Sequence, residues 1–339
     1  MRISPDLLRI DVPETIRTIA ESIRAAVRGT LRRKGAVVGM SGGVDSSVCA
    51  ALCVHALGEG NVLGLFMPDR ESSPDSLRLS QMVASQLHIQ TCREDITPIL
   101  EATGCYRLQT DAIRQLFPDY GESWKSKVTL PSILEGERLN VSRLTVESPA
   151  GEQKSARLPL QTYLRLIAAT NFKQRTRKML EYYHADRLHY AVCGTPNRLE
   201  YDQGFFVKNG DGSADFKPIA HLYKTQVYAL AGALNIPAEI VQRPPTTDTF
   251  SMAQTQEEFY FSLPYEAMDL CLYGRNHHLP AADVAAALAL TREQVELVYR
   301  DIDAKRHATL PLHLSPLLVS RVEEIDRIVR EATIHGGDA

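Results

Sequence analysis

A glycine- and serine-rich run near the N-terminus carries the clearest chemistry in the sequence. It consists of Gly39, Met40, Ser41, Gly42, Gly43, Val44, Asp45 and Ser46. The run follows the apolar stretch 36–38, typical of a buried strand, and precedes residues 48–57, typical of a helix. A strand, a glycine-rich turn and a helix in succession direct backbone N–H groups at a phosphate. Because Asp45 would repel that phosphate unless a cation lay between them, the run predicts a phosphate site with Mg²⁺.

The run differs from the G-x-x-x-x-G-K-[ST] nucleotide-binding loop, because no lysine follows its glycines. It resembles instead the pyrophosphate loop of the N-type ATP pyrophosphatases, which cleave ATP to AMP and pyrophosphate. The resemblance implies that residues 39–46, here called the phosphate loop, bind ATP and the leaving pyrophosphate. The alternative for the motif taken alone is a serine-capped Gly-Gly turn without a ligand.

A second group of polar residues lies in the middle of the chain, where their order is more informative than any one of them. The group begins with an N-x-K-x-R pattern that ends at Arg175. Its further members are Thr195, Glu200, Lys208, Asp215, Lys224 and Thr246. Together with the phosphate loop, this order and spacing closely resembles the NAD⁺ synthetase family, over about residues 13–273.

The resemblance implies a reaction in which ATP activates a carboxylate. Deamido-NAD⁺ (nicotinic acid adenine dinucleotide) would be converted by ammonia to NAD⁺ through an acyl-adenylate, with release of AMP and pyrophosphate. Asp45 and Glu200 would hold Mg²⁺, a hard ion that prefers oxygen ligands. Asp45 and Lys224 would be the catalytic residues, and Lys224 would contact the ATP phosphates as a point charge. Thr195 and Thr246 would also contact ATP.

The same resemblance assigns the deamido-NAD⁺ site to Arg175, Lys208, Asp215 and Lys305. Arg175 and Lys208 would meet phosphate or carboxylate groups, and Asp215 would accept hydrogen bonds from a ribose or another polar group. Taken singly, each of these residues could be an ordinary solvent-exposed charge. Their joint occurrence, in order, favours the family.

Two single residues depart from the family pattern. Ser262 stands where the family has a glycine. Ala304 stands where the family has the histidine of a His-Lys pair, although Lys305 and Arg306 keep the positive charge. These differences leave the acceptor less well defined than the activation of ATP.

A third departure is the polar segment 104–158, which is longer than the corresponding region of the compact ammonia-dependent enzymes. It contains several prolines and glycines, and it predicts an inserted subdomain with a two-stranded hairpin formed by residues 139–146 and 154–158. The alternative is a poorly ordered loop. The subdomain would cover the acceptor site or form a subunit contact.

The elements that must position these residues alternate along the first part of the chain. Residues 62–67 are typical of a buried strand, residues 36–38 and 188–193 are further apolar stretches, and residues 89–92 are a candidate third strand. Helical patterns lie between them, so we expect an α/β fold with a doubly wound parallel sheet and helices on both faces. In such sheets ligands bind beyond the carboxyl ends of the strands. After Lys224 the pattern is mostly helical, which predicts one domain over residues 1–339 with a helical C-terminal extension from about residue 275.

Composition excludes several classes of protein. The net charge of −3 shows no basic excess of the kind that nucleic-acid binding requires. No apolar stretch is long enough to cross a bilayer. Early acidic residues argue against a secretory signal. The six cysteines show no C-x-x-C spacing, which predicts free thiols in a reducing cytoplasm.

The expected partners are small molecules and a second copy of the chain. The substrates would be ATP, deamido-NAD⁺ and ammonia, and the resemblance implies a homodimer. Ammonia would come free or from a separate glutaminase, because the chain has no room for a nitrilase domain. Two other functions stay open. One is a ligase of the same superfamily that adenylates a different carboxylate or carbonyl acceptor, and the other is a non-catalytic nucleotide-binding regulatory module.

Overall fold

The fold is taken from a computed structural model, which describes residues 3–130, 142–246 and 250–334. The strands are β1 (Ala36–Gly39), β2 (Val62–Phe66), β3 (Gln90–Arg93), β4 (Lys125–Thr129), β5 (Arg143–Glu147), β6 (Gln153–Arg157) and β7 (Ala191–Cys193). The α-helices are α1 (Val12–Arg24), α2 (Val44–Leu57), α3 (Pro74–Gln86), α4 (Thr97–Ala102), α5 (Cys105–Arg114), α6 (Leu160–Leu188), α7 (Arg198–Gln203), α8 (Lys224–Ala233), α9 (Ala238–Val241), α10 (Tyr265–Asn276), α11 (Ala281–Leu288), α12 (Arg292–His313) and α13 (Glu323–Ile334).

The central sheet is parallel, with the strand order β3-β2-β1-β7. β1 pairs with β2 in the register Ala36↔Val62 and with β7 in the register Ala36↔Ala191. The chain builds outward from β1 to β3 and then returns to the other side of β1. The strand order therefore reverses between β1 and β7, and such a reversal opens a crevice at the carboxyl ends of the two strands. The phosphate loop follows β1 and Gly194-Thr195 follows β7, so both lie at this crevice.

Helices cover both faces of the central sheet. Because side chains alternate along a strand, Val38 of β1 packs with α1, α2, α3 and α8, where Val48 and Leu79 are also buried. Val37 packs on the opposite face with α4, α5 and α6, where Leu100 and Ala185 are buried. The predicted doubly wound α/β fold is thus confirmed.

A second, smaller sheet lies in the predicted insertion. Its three strands are antiparallel in the order β4-β5-β6, and we call it the accessory sheet. The predicted hairpin is present as β5 and β6, and the prediction missed the third strand, β4. In that strand Ser126 and Val128 are buried while Lys125 is exposed, an alternation too short to stand out among charged residues. Residues 139–141 of the predicted hairpin lie outside the described residues.

The C-terminal helices pack into a further core that closes one side of the crevice. α10, α11 and α12 share buried residues such as Met268, Val284 and Val298, together with Tyr223 just before α8. The six cysteines are all unpaired. Within the described ranges, no helix combines the length and the apolar character needed to cross a membrane.

Candidate active site

The phosphate loop forms one wall of a cavity of about 690 Å³ at the crevice, and all eight of its residues line that cavity. Gly42 has φ of +76°, and a Cβ there would lie 2.5 Å from the carbonyl oxygen of Ser76. A side chain is therefore excluded at this position. The Ser46 hydroxyl accepts from the Ser41 N–H at 3.2 Å and donates to the Gly43 carbonyl at 3.1 Å. The turn thus leads directly into α2, whose N-terminus favours an anion in the cavity.

Two carboxylates meet at the base of the cavity. Asp45 lies in the first turn of α2 and Glu200 in the first turn of α7. The Asn197 amide nitrogen donates to Asp45 Oδ1 at 3.2 Å and to Glu200 Oε2 at 3.1 Å. Gln256 Nε2 donates to Glu200 Oε1 at 2.8 Å. Asn197 therefore connects the residues that follow β1 with those that follow β7.

Lys224 supplies the cation of this site. It is the first residue of α8, its side chain is 2% exposed, and its ammonium group forms an ion pair with Asp45. Asp269 of α10 holds the start of α8, because its two carboxylate oxygens accept from the Lys224 N–H at 3.1 Å and the Thr225 N–H at 2.7 Å. Burial nevertheless raises the pKa of Asp269 to about 6. Asp269 thus positions Lys224 from a distant helix.

The charges at this site are unbalanced in favour of the carboxylates. Burial and then the neighbouring charge of Asp45 raise the pKa of Glu200 to about 8. Burial alone would lower the pKa of Lys224, but the charges of Asp45 and Glu200 outweigh it and raise that pKa above its usual value. Two adjacent carboxylates that share one buried ammonium group form a donor set suited to a second, hard cation. The residues present therefore fit Mg²⁺.

The structure brings most of the predicted ligand-binding residues to the same cavity. Thr195, Thr246, Arg175 and Lys208 all line it, as do Glu200 and the phosphate loop. Arg175 Nε donates to the Lys208 carbonyl at 3.3 Å. Lys208 Nζ donates to the carbonyl of Pro311 at 2.6 Å, so this cation is held at the C-terminal end of α12.

Two predicted acceptor residues lie elsewhere. Asp215 and Lys305 are not among the described residues that line the cavity. The Asp215 carboxylate accepts from the Val192 N–H at 2.7 Å. Lys305 Nζ pairs with Asp301 at 2.7 Å and donates to the Tyr260 carbonyl at 2.7 Å. Their assignment to the deamido-NAD⁺ site stays a prediction, and Lys305 would have to leave both partners to reach a ligand.

Several residues of the site were missed by the reasoning from sequence. Asn197 had a local signal, because an asparagine three residues before a glutamate is a capping-box pattern, and that box is present in α7. Asp269 and Gln256 had no local sequence signal, because both contact residues that are far away in the sequence. Glu181 was also missed. It lines the cavity against Gly39, its carboxylate pairs with Lys178 at 2.5 Å, and burial raises its pKa.

Comparison with known sequences decides the family. The profile of the NAD synthase family matches residues 15–116 and 139–310. The chain belongs to this family. An NH(3)-dependent NAD(+) synthetase of Mesorhizobium japonicum is 59% identical over 318 residues, which are 94% of this chain and 100% of that protein. One of Rhizobium meliloti is 58% identical over 95% of this chain and 96% of that protein, and one of Thermotoga maritima is 38% identical over 70% and 79%.

Two solved structures show the same fold. The NH3-dependent NAD synthetase of Campylobacter jejuni matches with a TM-score of 0.59 at 21% identity, over 92% of this chain and 100% of that one. An NMN synthetase of Francisella tularensis matches with a TM-score of 0.60 at 20% identity, over 92% and 100%. At these identities the likeness shows the fold alone. The family profile leaves residues 117–138 unmatched, and β4 lies in that stretch.

Proposed function

We infer that this NAD synthase family member amidates deamido-NAD⁺ with ammonia to form NAD⁺, at the expense of ATP. The observation that carries the inference is one cavity at the strand-order reversal, lined by the phosphate loop, Glu200 and Lys224. Three relatives at 57–59% identity over nearly their whole length are named NH(3)-dependent NAD(+) synthetase. Because those names specify ammonia, ammonia is the proposed nitrogen donor. A separate glutaminase stays only a prediction.

The first half-reaction forms the acyl-adenylate. A carboxylate oxygen of the acceptor attacks the α-phosphorus of ATP, and the bond between the α-phosphorus and the bridging oxygen breaks to release pyrophosphate. Because charge develops on the leaving group, backbone N–H groups of the phosphate loop and the N-terminus of α2 stabilise it. The Lys224 ammonium group, whose side chain is 2% exposed, adds a fixed positive charge.

We propose that Asp45 and Glu200 hold Mg²⁺ during this step, with Asn197 orienting both carboxylates. When bound, the ion would neutralise charge on the phosphate oxygens of ATP. The support is the donor set itself, since Asp45 and Glu200 both accept from the Asn197 amide and the neighbouring Lys224 ammonium group pairs with Asp45. Lys224, which pairs with Asp45 in this structure, would then be free to face the phosphates.

In the second half-reaction, ammonia displaces AMP from the acyl-adenylate. The lone pair of ammonia attacks the acyl carbon, the carbon–oxygen bond to AMP breaks, and the nitrogen loses a proton to give the amide. Arg175 and Lys208 lie on the cavity wall, where we propose that they bind phosphate or carboxylate groups of the acceptor. Holding the acceptor carboxylate against the α-phosphate converts the encounter into a step within one complex.

The deciding experiment supplies Mg-ATP, ammonium and one acid at a time, and measures NAD⁺, amidated product and pyrophosphate. Deamido-NAD⁺ should give NAD⁺ and pyrophosphate in equal amounts. Nicotinic acid mononucleotide is the sharpest competing acid, because an enzyme that forms NMN shares the fold. Preference for the mononucleotide would contradict the assigned acceptor and leave the adenylating chemistry standing. ATP binding without pyrophosphate release, with any acid, would favour the regulatory module.

We also propose that the protein acts as a homodimer. Four large apolar side chains of α6, at Leu160, Leu164, Met179 and Tyr183, are 50–67% exposed, and an apolar helix surface of this kind is suited to a second copy. Sedimentation velocity should give twice the chain mass, and Leu164→Glu should shift the species toward monomer. A wild-type monomer at micromolar concentration would contradict the proposal. The cytoplasmic location stays a prediction.

A further inference from the structure

A segment on the far side of the cavity has little regular structure of its own. It covers residues 250–261, here called the wall segment, and its only helical turn is Glu257–Phe261. Yet it brings three side chains to the cavity, from Gln256, Phe259 and Tyr260. Gln256 is also the donor to Glu200 Oε1, at 2.8 Å. The conformation of the wall segment therefore decides whether this side of the proposed Mg²⁺ and ATP site is formed.

Several hydrogen bonds join the wall segment to β4 of the accessory sheet. The Ser126 N–H donates to the Ser251 hydroxyl at 2.9 Å, and the Met252 N–H donates back to the Ser126 carbonyl at 3.1 Å. The Gln254 side-chain nitrogen donates to the Val128 carbonyl. Just beyond β4, the Leu130 N–H donates to the Glu258 carbonyl at 2.9 Å. β4 and the residue that follows it thus bind the wall segment at Ser251, Met252, Gln254 and Glu258.

Aromatic packing continues this connection from the accessory sheet to the cavity. Phe250 is buried in the core of the accessory sheet, with Val128 and Leu144. Its ring lies 5.7 Å from that of Phe259, which in turn lies 5.7 Å from that of Phe205 on the cavity wall. Displacing β4 would therefore remove these hydrogen bonds and this apolar contact from the wall segment.

β4 lies within residues 117–138, the stretch that the family profile does not match. This chain thus supports the wall segment with a strand from outside the matched residues. We propose that β4 is a brace that holds the wall segment in its binding conformation before substrate arrives, with Ser251 and Gln254 as positioning residues. A flexible segment that must order when a ligand binds lowers the affinity for that ligand. The brace removes this cost. Its effect on KM rests on the proposed function, whereas its effect on the order of the wall segment does not.

Hydrogen exchange of the ligand-free protein tests the structural consequence. Ser251→Ala removes the acceptor for the Ser126 N–H, and Gln254→Ala removes the donor to the Val128 carbonyl. Each should raise the exchange rate of amides in residues 250–261 about tenfold, equivalent to about 1.4 kcal/mol of local opening. Gln153→Ala is the matched control. It deletes a glutamine hydrogen bond to Glu147, 2.8 Å long, on the other edge of the same sheet, and should leave these amides unchanged.

Steady-state kinetics test the functional consequence. In both brace variants KM for Mg-ATP should rise about tenfold with kcat within twofold of wild type, because saturating substrate restores the ordered segment. A role in stability alone would leave KM unchanged. Rapid exchange of the wall segment in the wild type, unchanged exchange in the variants, or an equal effect of Gln153→Ala would overturn the brace. If no NAD⁺ forms at all, the proposed function fails while the exchange result still decides the brace. Should Gln254→Ala not fold, Ser251→Ala alone decides it.

Discussion

The ion pair between Asp45 and Lys224 makes Asp45→Asn a perturbation with two separable consequences. Asp45 is a proposed Mg²⁺ ligand, so the variant should lose pyrophosphate release from ATP. It also leaves the Lys224 ammonium group, 2% exposed, without its nearest carboxylate. Asparagine keeps the shape and can still accept from the Asn197 amide. The effect is therefore one of charge and not of packing.

The cost in stability can be estimated from the burial of the two partners. Removing one partner of a buried ion pair typically costs 3–5 kcal/mol of unfolding free energy, and we expect about 3 kcal/mol here. The lower end applies because the Asp45 side chain is 16% exposed and because Glu200 still interacts with Lys224. Lys224→Met should also destabilise, since it leaves the two carboxylates facing each other. The double variant should regain most of the loss, because no charge is then left without a partner except Glu200, which can take up a proton.

Urea denaturation without Mg²⁺ or ATP measures the free energy of unfolding of the wild type, the two single variants and the double variant. Isotope exchange between ATP and pyrophosphate, in the presence of acceptor, measures activation. We expect no exchange in any of the three variants, with stability recovered only in the double variant. Destabilisation of the double variant by the sum of the two single losses, or wild-type exchange in Asp45→Asn, would refute the roles given to Asp45 and Lys224.

Three further predictions concern groups that position the site. Asp269→Asn should lower the free energy of unfolding by about 1–3 kcal/mol and should also lower kcat, because one of the charge-assisted bonds that hold the start of α8 is lost. Chemical denaturation and turnover at saturating ATP measure the two effects, and unchanged values of both would contradict the positioning role. Gly42→Ala should abolish ATP binding in calorimetry, since its Cβ would meet the Ser76 carbonyl at 2.5 Å and φ is +76°; binding within tenfold of wild type would contradict this. Ser262 has φ of +59°, so Ser262→Gly should raise the free energy of unfolding by up to about 1 kcal/mol, and a clear loss in urea denaturation would show that the hydroxyl is needed.

Position 262, where the family has a glycine, shows what a departure from a sequence pattern can indicate about the structure. The departure was visible in the sequence, and the structure shows its physical meaning, because Ser262 adopts the left-handed conformation that glycine adopts at lower cost. The departure at Ala304 is different. Its neighbour Lys305 keeps a positive charge, but the ammonium group is bound by Asp301 and the Tyr260 carbonyl. A retained charge therefore does not by itself retain a contact with ligand.

Part of this protein could be predicted from its sequence, because that part depends on interactions between residues close together in the chain. The phosphate loop, its glycine at positive φ, the start of α2 and the buried strands of the central sheet all depend on residues close together in the chain. The alternation of strands and helices then placed the phosphate loop and Gly194-Thr195 at one edge of a parallel sheet. The binding of Mg²⁺ by Asp45 and Glu200 stays a prediction.

Only the tertiary structure decided how the site is held together. Asn197 bridges Asp45 and Glu200, Asp269 caps the helix that begins with Lys224, and β4 supports the wall segment. Apart from the local bond between Asn197 and Glu200, each of these contacts joins residues that are distant in sequence. Neither hydrophobic periodicity nor a short motif indicates which distant group a polar side chain will meet. Burial made those contacts necessary, because a polar group removed from water has to find a partner wherever the fold provides one.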